Sequence, residues 1–316
     1  MKRLWIALLL AGLLALPGCG QSSPGEEDSL RLLCSTYPVY LFTTALTQEM
    51  EGVEVTLLIN SQTSCLHDYT LTVKDMRAIE AADVILLNGA GLEDFMADAL
   101  SQSHAAVIDC SKNMELLPPL EHHDHEGHDH GEEYDPHYWM DPRRAAGMVK
   151  TIADGLAALD PAHKESYGQR WISIYDRMGG MAQDLDIAQL VLVDAAGSAL
   201  PLEELCTTDK LITFHDGFQY FAQAFGLELL KAIEEEEGST ASAAEIKEIV
   251  ALVKEYDIPA IFVEKNGSRA TAEVIARETG CEIYELDMLM SGTGTGVQPY
   301  LDAMLSNLNT LLEAFS

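Results

Sequence analysis

The chain has 316 residues, with 51 Asp and Glu against 19 Lys and Arg, a formal charge of −32. An apolar content of 47% with 22% charged residues is a globular mixture, long enough for one large or two ordinary domains. So acidic a balance argues against a nucleic-acid or anionic-lipid surface, which would call for Lys and Arg, and is compatible with a cationic partner.

The N-terminus opens with Lys2 and Arg3 and runs through apolar or small residues from Leu4 to Leu16. That is the pattern of a secretory signal, shorter than the ~20 residues a membrane helix needs. Leu16-Pro17-Gly18-Cys19 resembles a bacterial lipoprotein box, although Pro17 stands where a small or β-branched residue is usual. Residues 1–18 are therefore expected to be a signal peptide. Cys19 is the expected lipidated residue, and 19–29 a polar tether. Export permits disulfides, and Cys34, Cys65, Cys110, Cys206 and Cys281 are an odd set, so at least one thiol stays unpaired within the molecule.

From Leu30 the chain alternates short β-type runs with helical periods. Leu30–Ser35, Val53–Ile59, Asp83–Asn88 and Ala106–Asp109 read as strands. Thr72 to Asp75 forms a capping box that opens a helix with Met76 and Ile79 inward. Leu92, Phe95, Met96, Ala99 and Leu100 share one helix face. Asp141-Pro142 and Asp160-Pro161 each pair an N-cap with a first-turn proline. The second of these helices carries an apolar stripe from Tyr167 through Trp171, Ile174, Met178 and Met181 to Leu185. Alternation resumes with strands at Leu211–Phe214, Leu227–Ile233, Ala260–Glu264 and Cys281–Leu286, a helix opened by Ser242 and Glu245, and a last helix bearing Leu301 to Leu312. The expected architecture is α/β: two parallel-sheet lobes joined by one long helix. The lobes span 30–160 and 189–316, with the linker at 161–188.

Two groups of residues carry metal chemistry. Within 121–133, His122, His123, His125, His128 and His130 are interleaved with Asp and Glu, and no apolar residue interrupts them. Imidazole and carboxylate donors in a tract that cannot pack make a weak collector of cations. A defined site needs rigid supports, and ligands of open α/β sheets bind beyond the carboxyl ends of strands. His67, His137, His215 and Asp287 all follow strands in this way, two in each half.

Together these features resemble the zinc- and manganese-binding solute receptors of ABC importers. The residues that carry the resemblance are the Cys19 box, His67-Asp-Tyr with Asp75, and Asn88-Gly-Ala-Gly-Leu-Glu93. The acidic His loop adds to it, as do Asp135-Pro-His137-Tyr-Trp-Met-Asp141-Pro, Phe214-His215-Asp-Gly-Phe-Gln-Tyr220, Phe262-Val-Glu264 and Leu286-Asp287. The resemblance covers the whole exported chain in order. It implies a metal between two lobes, with His67, His137, His215 and Asp287 as primary ligands. It also implies a membrane permease as partner, a monomer outside the cytoplasm held by its lipidated Cys19, and no catalytic residue. Three imidazoles and one carboxylate suit tetrahedral Zn2+ better than Mn2+. Leu66 departs from the family's proline there, and Cys65 is a further candidate donor. Asp68 or Asp141 would orient a ligand imidazole, and Glu264 would lie near the site without binding the ion. Two other classes find little support. A zinc hydrolase lacks HExxH and GxSxG, and Gly89-Ala-Gly91 does not complete a nucleotide-binding GxGxxG.

Overall fold

The computed structural model describes residues 29–60, 66, 69–120, 134–183, 192–193, 199–200, 206–233, 241–265 and 267–316. Cys19, Cys65, His67, Asp68, the loop 121–133 and Leu185 lie outside the described residues.

The first sheet is formed by β1 (Leu30–Cys34), β2 (Val53–Leu57), β3 (Val84–Leu87) and β4 (Ala106–Asp109), all parallel, in the order β2-β1-β3-β4. After a short antiparallel pair, β5 (Leu192–Val193) and β6 (Ala199–Leu200), the second sheet comprises β7 (Lys210–Thr213), β8 (Glu228–Ala232), β9 (Ala260–Glu264) and β10 (Glu282–Leu286). It too is parallel, in the order β10-β9-β7-β8. The β9 residues Ala260–Glu264 are buried throughout, as a strand covered on both faces should be. Two parallel α/β lobes are therefore present, as the alternation predicts.

Local signals account for the helix starts, with two corrections. Helix α2 (Val73–Ala81) begins on the expected capping box between Thr72 and Asp75. Its buried face, however, carries Asp75 and Ile79, while Met76 is 41% exposed. The Asp75 carboxylate also accepts from Tyr69 Oη at 3.1 Å, and Ile79 packs with Leu33, Ile85 and Met96, so the 75/79 row faces inward and Met76 outward. Helix α4 (Pro142–Leu159) starts as expected, with the Asp141 side chain accepting from Arg143 N. Helix α5 (Lys164–Gln183) starts three residues after Pro161, because Asp160 is taken up by the His163 ring at 2.7 Å and Tyr167 Oη at 2.8 Å. Tyr167, Ile174 and Met178 of the predicted stripe are buried, and α5 packs along α4. Among the described residues no helix is long and apolar enough to cross a membrane. Cys34, Cys110, Cys206 and Cys281 are all free thiols.

The Gly89-Ala-Gly91 turn spends amides within the fold. Ala90 N donates to Ser111 Oγ at 3.1 Å, and the Glu93 carboxylate accepts from Asn88 N, Gly89 N and Ser35 Oγ at 2.8, 2.9 and 2.6 Å. Gly89 has φ +81°, and a Cβ there would fall 1.9 Å from Asp109 Oδ1, so the turn requires glycine. Burial pushes the Glu93 carboxyl up to about 7, against the pull of those three donors. A raised native value means the folded chain binds more protons than the unfolded chain between about 4.5 and 7. This group's contribution to stability is therefore greatest at the acid end of that window and is lost as pH rises through it. Denaturant unfolding of metal-free protein should show wild type losing more stability from pH 5 to 7.5 than Glu93→Gln; equal losses would refute this.

Candidate metal centre

The lobes meet over one continuous apolar core that runs from Phe42 and Trp139 to Phe218, Phe262 and Tyr300. Directed hydrogen bonds cross this interface. Trp139 Nε1 donates to Met288 O at 2.9 Å, Tyr300 Oη to Trp139 O at 2.8 Å, and Tyr220 Oη to Asp135 O at 2.8 Å. Asn60 and Gly292 exchange a pair of bonds at 3.0 and 3.1 Å. These contacts fix the two backbone segments from which His137 and His215 emerge.

His137 precedes the short 3-10 turn Tyr138–Met140, and His215 follows β7 directly; both are nearly inaccessible. His137 Nδ1 lies 2.8 Å from Asp135 Oδ1, which also accepts from the His137 amide. His215 Nδ1 lies 3.2 Å from Glu264 Oε1. A carboxylate beside the outer nitrogen of a ligand imidazole favours the proton on Nδ1 and leaves the Nε2 lone pair for a metal, an arrangement the Asp135 contact with His137 supplies directly. The two Nε2 atoms face one another at 3.4 Å, with the rings 89° apart. Two nitrogens bound to zinc at about 2.0–2.1 Å with a tetrahedral angle are ~3.3–3.4 Å apart, so the pair already has the spacing such an ion needs. Asp216 Oδ1 lies 3.5 Å from His215 Nε2 and joins the two imidazoles in one compact donor group. Gly217 is required beside them: a Cβ would sit 2.9 Å from Cδ2 of each imidazole and 2.4 Å from Met288 Cε.

Of the four ligands implied by resemblance, the structure brings His137 and His215 together. His67 lies outside the described residues, as do His122, His123, His125, His128 and His130. Asp287 is placed differently from the expectation. It is outside the donor group, with Oδ2 2.8 Å from Lys265 Nζ and Oδ1 accepting from Leu289 N at 2.8 Å. That pair holds the Lys265 ammonium above its ordinary range. The backbone of Asp287 is clamped by Asn307, whose side chain accepts from its amide and donates to its carbonyl, both at 2.8 Å. The expected orienting role of Asp141 is also corrected. It caps α4 and binds Arg143 and Arg144, and Asp135 orients His137 instead. Asp135 and Asp216 each lie within two residues of a candidate histidine, a local signal available in the sequence.

Two parallel-sheet lobes with a pair of facing, buried imidazoles between them define a two-lobed solute-binding protein. Residues 32–314 match the family model ZnuA, described as zinc-uptake complex component A periplasmic. The chain belongs to this family. It is 31% identical to the zinc-binding lipoprotein AdcA of Streptococcus pneumoniae over 97% of its own length and 60% of that protein's, so it spans about three-fifths of that relative. It is 28% identical to the high-affinity zinc uptake system protein ZnuA of Bacillus subtilis, covering 99% of this chain and 98% of that one. A Zn(II)-bound mutant variant of AdcAII from Streptococcus pneumoniae superimposes with a TM-score of 0.76 at 26% identity, over 92% of this chain and 99% of that one.

Proposed function

We propose that the protein is an extracytoplasmic receptor that captures Zn2+ between its lobes and passes it to the membrane permease of an ABC importer. The observation that carries this reading is the 3.4 Å approach of His137 Nε2 and His215 Nε2, with a carboxylate beside each outer nitrogen. His67 and a carboxylate complete the ligand set, Asp287 by family resemblance and Asp216 by proximity. Zinc is favoured over manganese because the preset donors are imidazoles. The receptor performs no covalent chemistry. Lipidated Cys19 anchors it to the cell membrane as a monomer, and the loop 121–133 gathers cations without forming the tight site.

Mass spectrometry of purified protein, after a wash with weak chelator, should find close to one zinc per chain. Deleting 121–133 should leave the tight-site affinity within about threefold, because a tract with no apolar residue to pack fixes no donor geometry. Abolition of tight binding by that deletion would refute the assignment to His137 and His215.

Gly217→Ala offers a test that removes no donor. The added methyl must displace Met288 and both imidazole edges. Zinc affinity should fall by about tenfold or more, comparable to losing an orienting partner. Unchanged chelator competition would mean that the preset spacing is unimportant.

A further inference from the structure

Lys265 follows the last residue of β9, and Asp287 follows the last residue of β10. These strands are paired in register through Leu286 and Glu264, and Lys265 N donates to Leu286 O at 2.8 Å. The ladder thus delivers an ammonium and a carboxylate side by side, and they meet at 2.8 Å. The other Asp287 oxygen is held by Leu289 N, while Asn307 immobilises the backbone. Met288, the residue after Asp287, accepts from Trp139 Nε1, and its Cε lies with both imidazole edges around Gly217, so the chain that carries Asp287 borders the donor group.

We propose that Lys265 limits the metal affinity of the site by holding the Asp287 carboxylate in an ion pair that an arriving metal ion must break or share. The inference rests on the receptor reading above. A divalent cation drawing on Asp287 competes with a resident cation. When it has won, the displaced ammonium remains tethered nearby and repels it. Until then Asp216, 3.5 Å from His215 Nε2, is the carboxylate grouped with the two imidazoles among the described residues. Capture would therefore begin on His137, His215 and Asp216, and recruitment of Asp287 would follow release of Lys265. The side chains of Lys265 and Asp287 are 60% and 24% exposed, so the pair is largely solvated and easily exchanged. A barrier of that size tunes affinity and release without blocking the site.

The test is chelator competition for zinc on the full chain, comparing wild type, Lys265→Gln, Lys265→Arg, Asp287→Asn and the Lys265→Gln/Asp287→Asn double variant. Lys265→Gln should bind zinc about threefold to tenfold tighter and release it more slowly, while Lys265→Arg keeps wild-type affinity. In the Asp287→Asn background the same Lys265 change should alter affinity by less than about twofold. The melting temperature of metal-free Lys265→Gln should fall by no more than about a few degrees, separating an effect on binding from a folding defect. Unchanged or weaker binding by Lys265→Gln, or an equal gain in both backgrounds, overturns the inference while leaving the receptor reading intact. Wild-type protein that retains no zinc overturns the receptor reading and this inference with it.

Discussion

His137→Ala should hold zinc at least about a hundredfold more weakly than wild type, and His215→Ala should behave alike. Loss of an orienting partner alone costs about 10–100-fold in metal affinity, and loss of the donor nitrogen must cost more. Each imidazole brings a nitrogen whose position is already set, with Asp135 2.8 Å from the outer nitrogen of His137 and Glu264 3.2 Å from that of His215. Asp135→Asn supplies the graded control. The ring then loses its carboxylate acceptor but keeps its nitrogen, so affinity should fall within about that 10–100-fold range. Folding should survive His137→Ala, because the backbone amide at 137 still donates to Asp135 and Tyr220 still bonds the Asp135 carbonyl. Competition titrations with a chromophoric chelator would measure all three variants. Wild-type affinity in His137→Ala would reduce the facing imidazoles to a structural pair.

Trp139→Ala should cost about 3–5 kcal/mol of stability, the range for truncating a large buried aromatic side chain. Trp139 is fully buried and lies at the centre of the interface. Its indole N–H reaches Met288 O, its carbonyl accepts from Tyr300, and its ring lies 5.3 Å from that of His137. Truncation would open a cavity, orphan the Met288 carbonyl and loosen the wall behind both imidazoles. Trp139→Phe separates these effects. Most of the volume remains and one hydrogen bond is lost, so the cost should drop to about 1–3 kcal/mol. At roughly 2–4 °C per kcal/mol for a chain of this size, thermal unfolding of metal-free protein resolves the two variants. Melting of Trp139→Ala within a degree of wild type would show that other contacts hold the lobes.

Much of the fold was legible because its signals are local. The strand runs from Leu30 to Leu286, the Thr72 and Ser242 capping boxes and the Asp141-Pro142 helix start each depend on neighbours within a few residues. Departures arose where a polar side-chain bond, itself short in sequence range, overrode the apolar pattern. Tyr69 bonds the Asp75 carboxylate on the inward face of α2, which leaves Met76 outward, and His163 with Tyr167 bonds Asp160 ahead of α5. Neither partner is fixed by helical periodicity, which records apolar spacing and not which polar group finds a donor.

The site divides along the same line. Sequence alone determined that histidines follow strand ends in both halves, that a separate acidic histidine tract exists, and that the donor set is rich in nitrogen. Those are statements about composition and position along the chain. Only the tertiary structure decided that His137 and His215, 78 residues apart, meet at 3.4 Å. It also decided that Asp135 and Glu264 stand beside their outer nitrogens, and that Asp287 is bound to Lys265 rather than standing with the imidazoles. The physical reason is that coordination depends on distances and proton positions between atoms remote in sequence. Packing of the two lobes around Trp139 and the register of β9 with β10 create both.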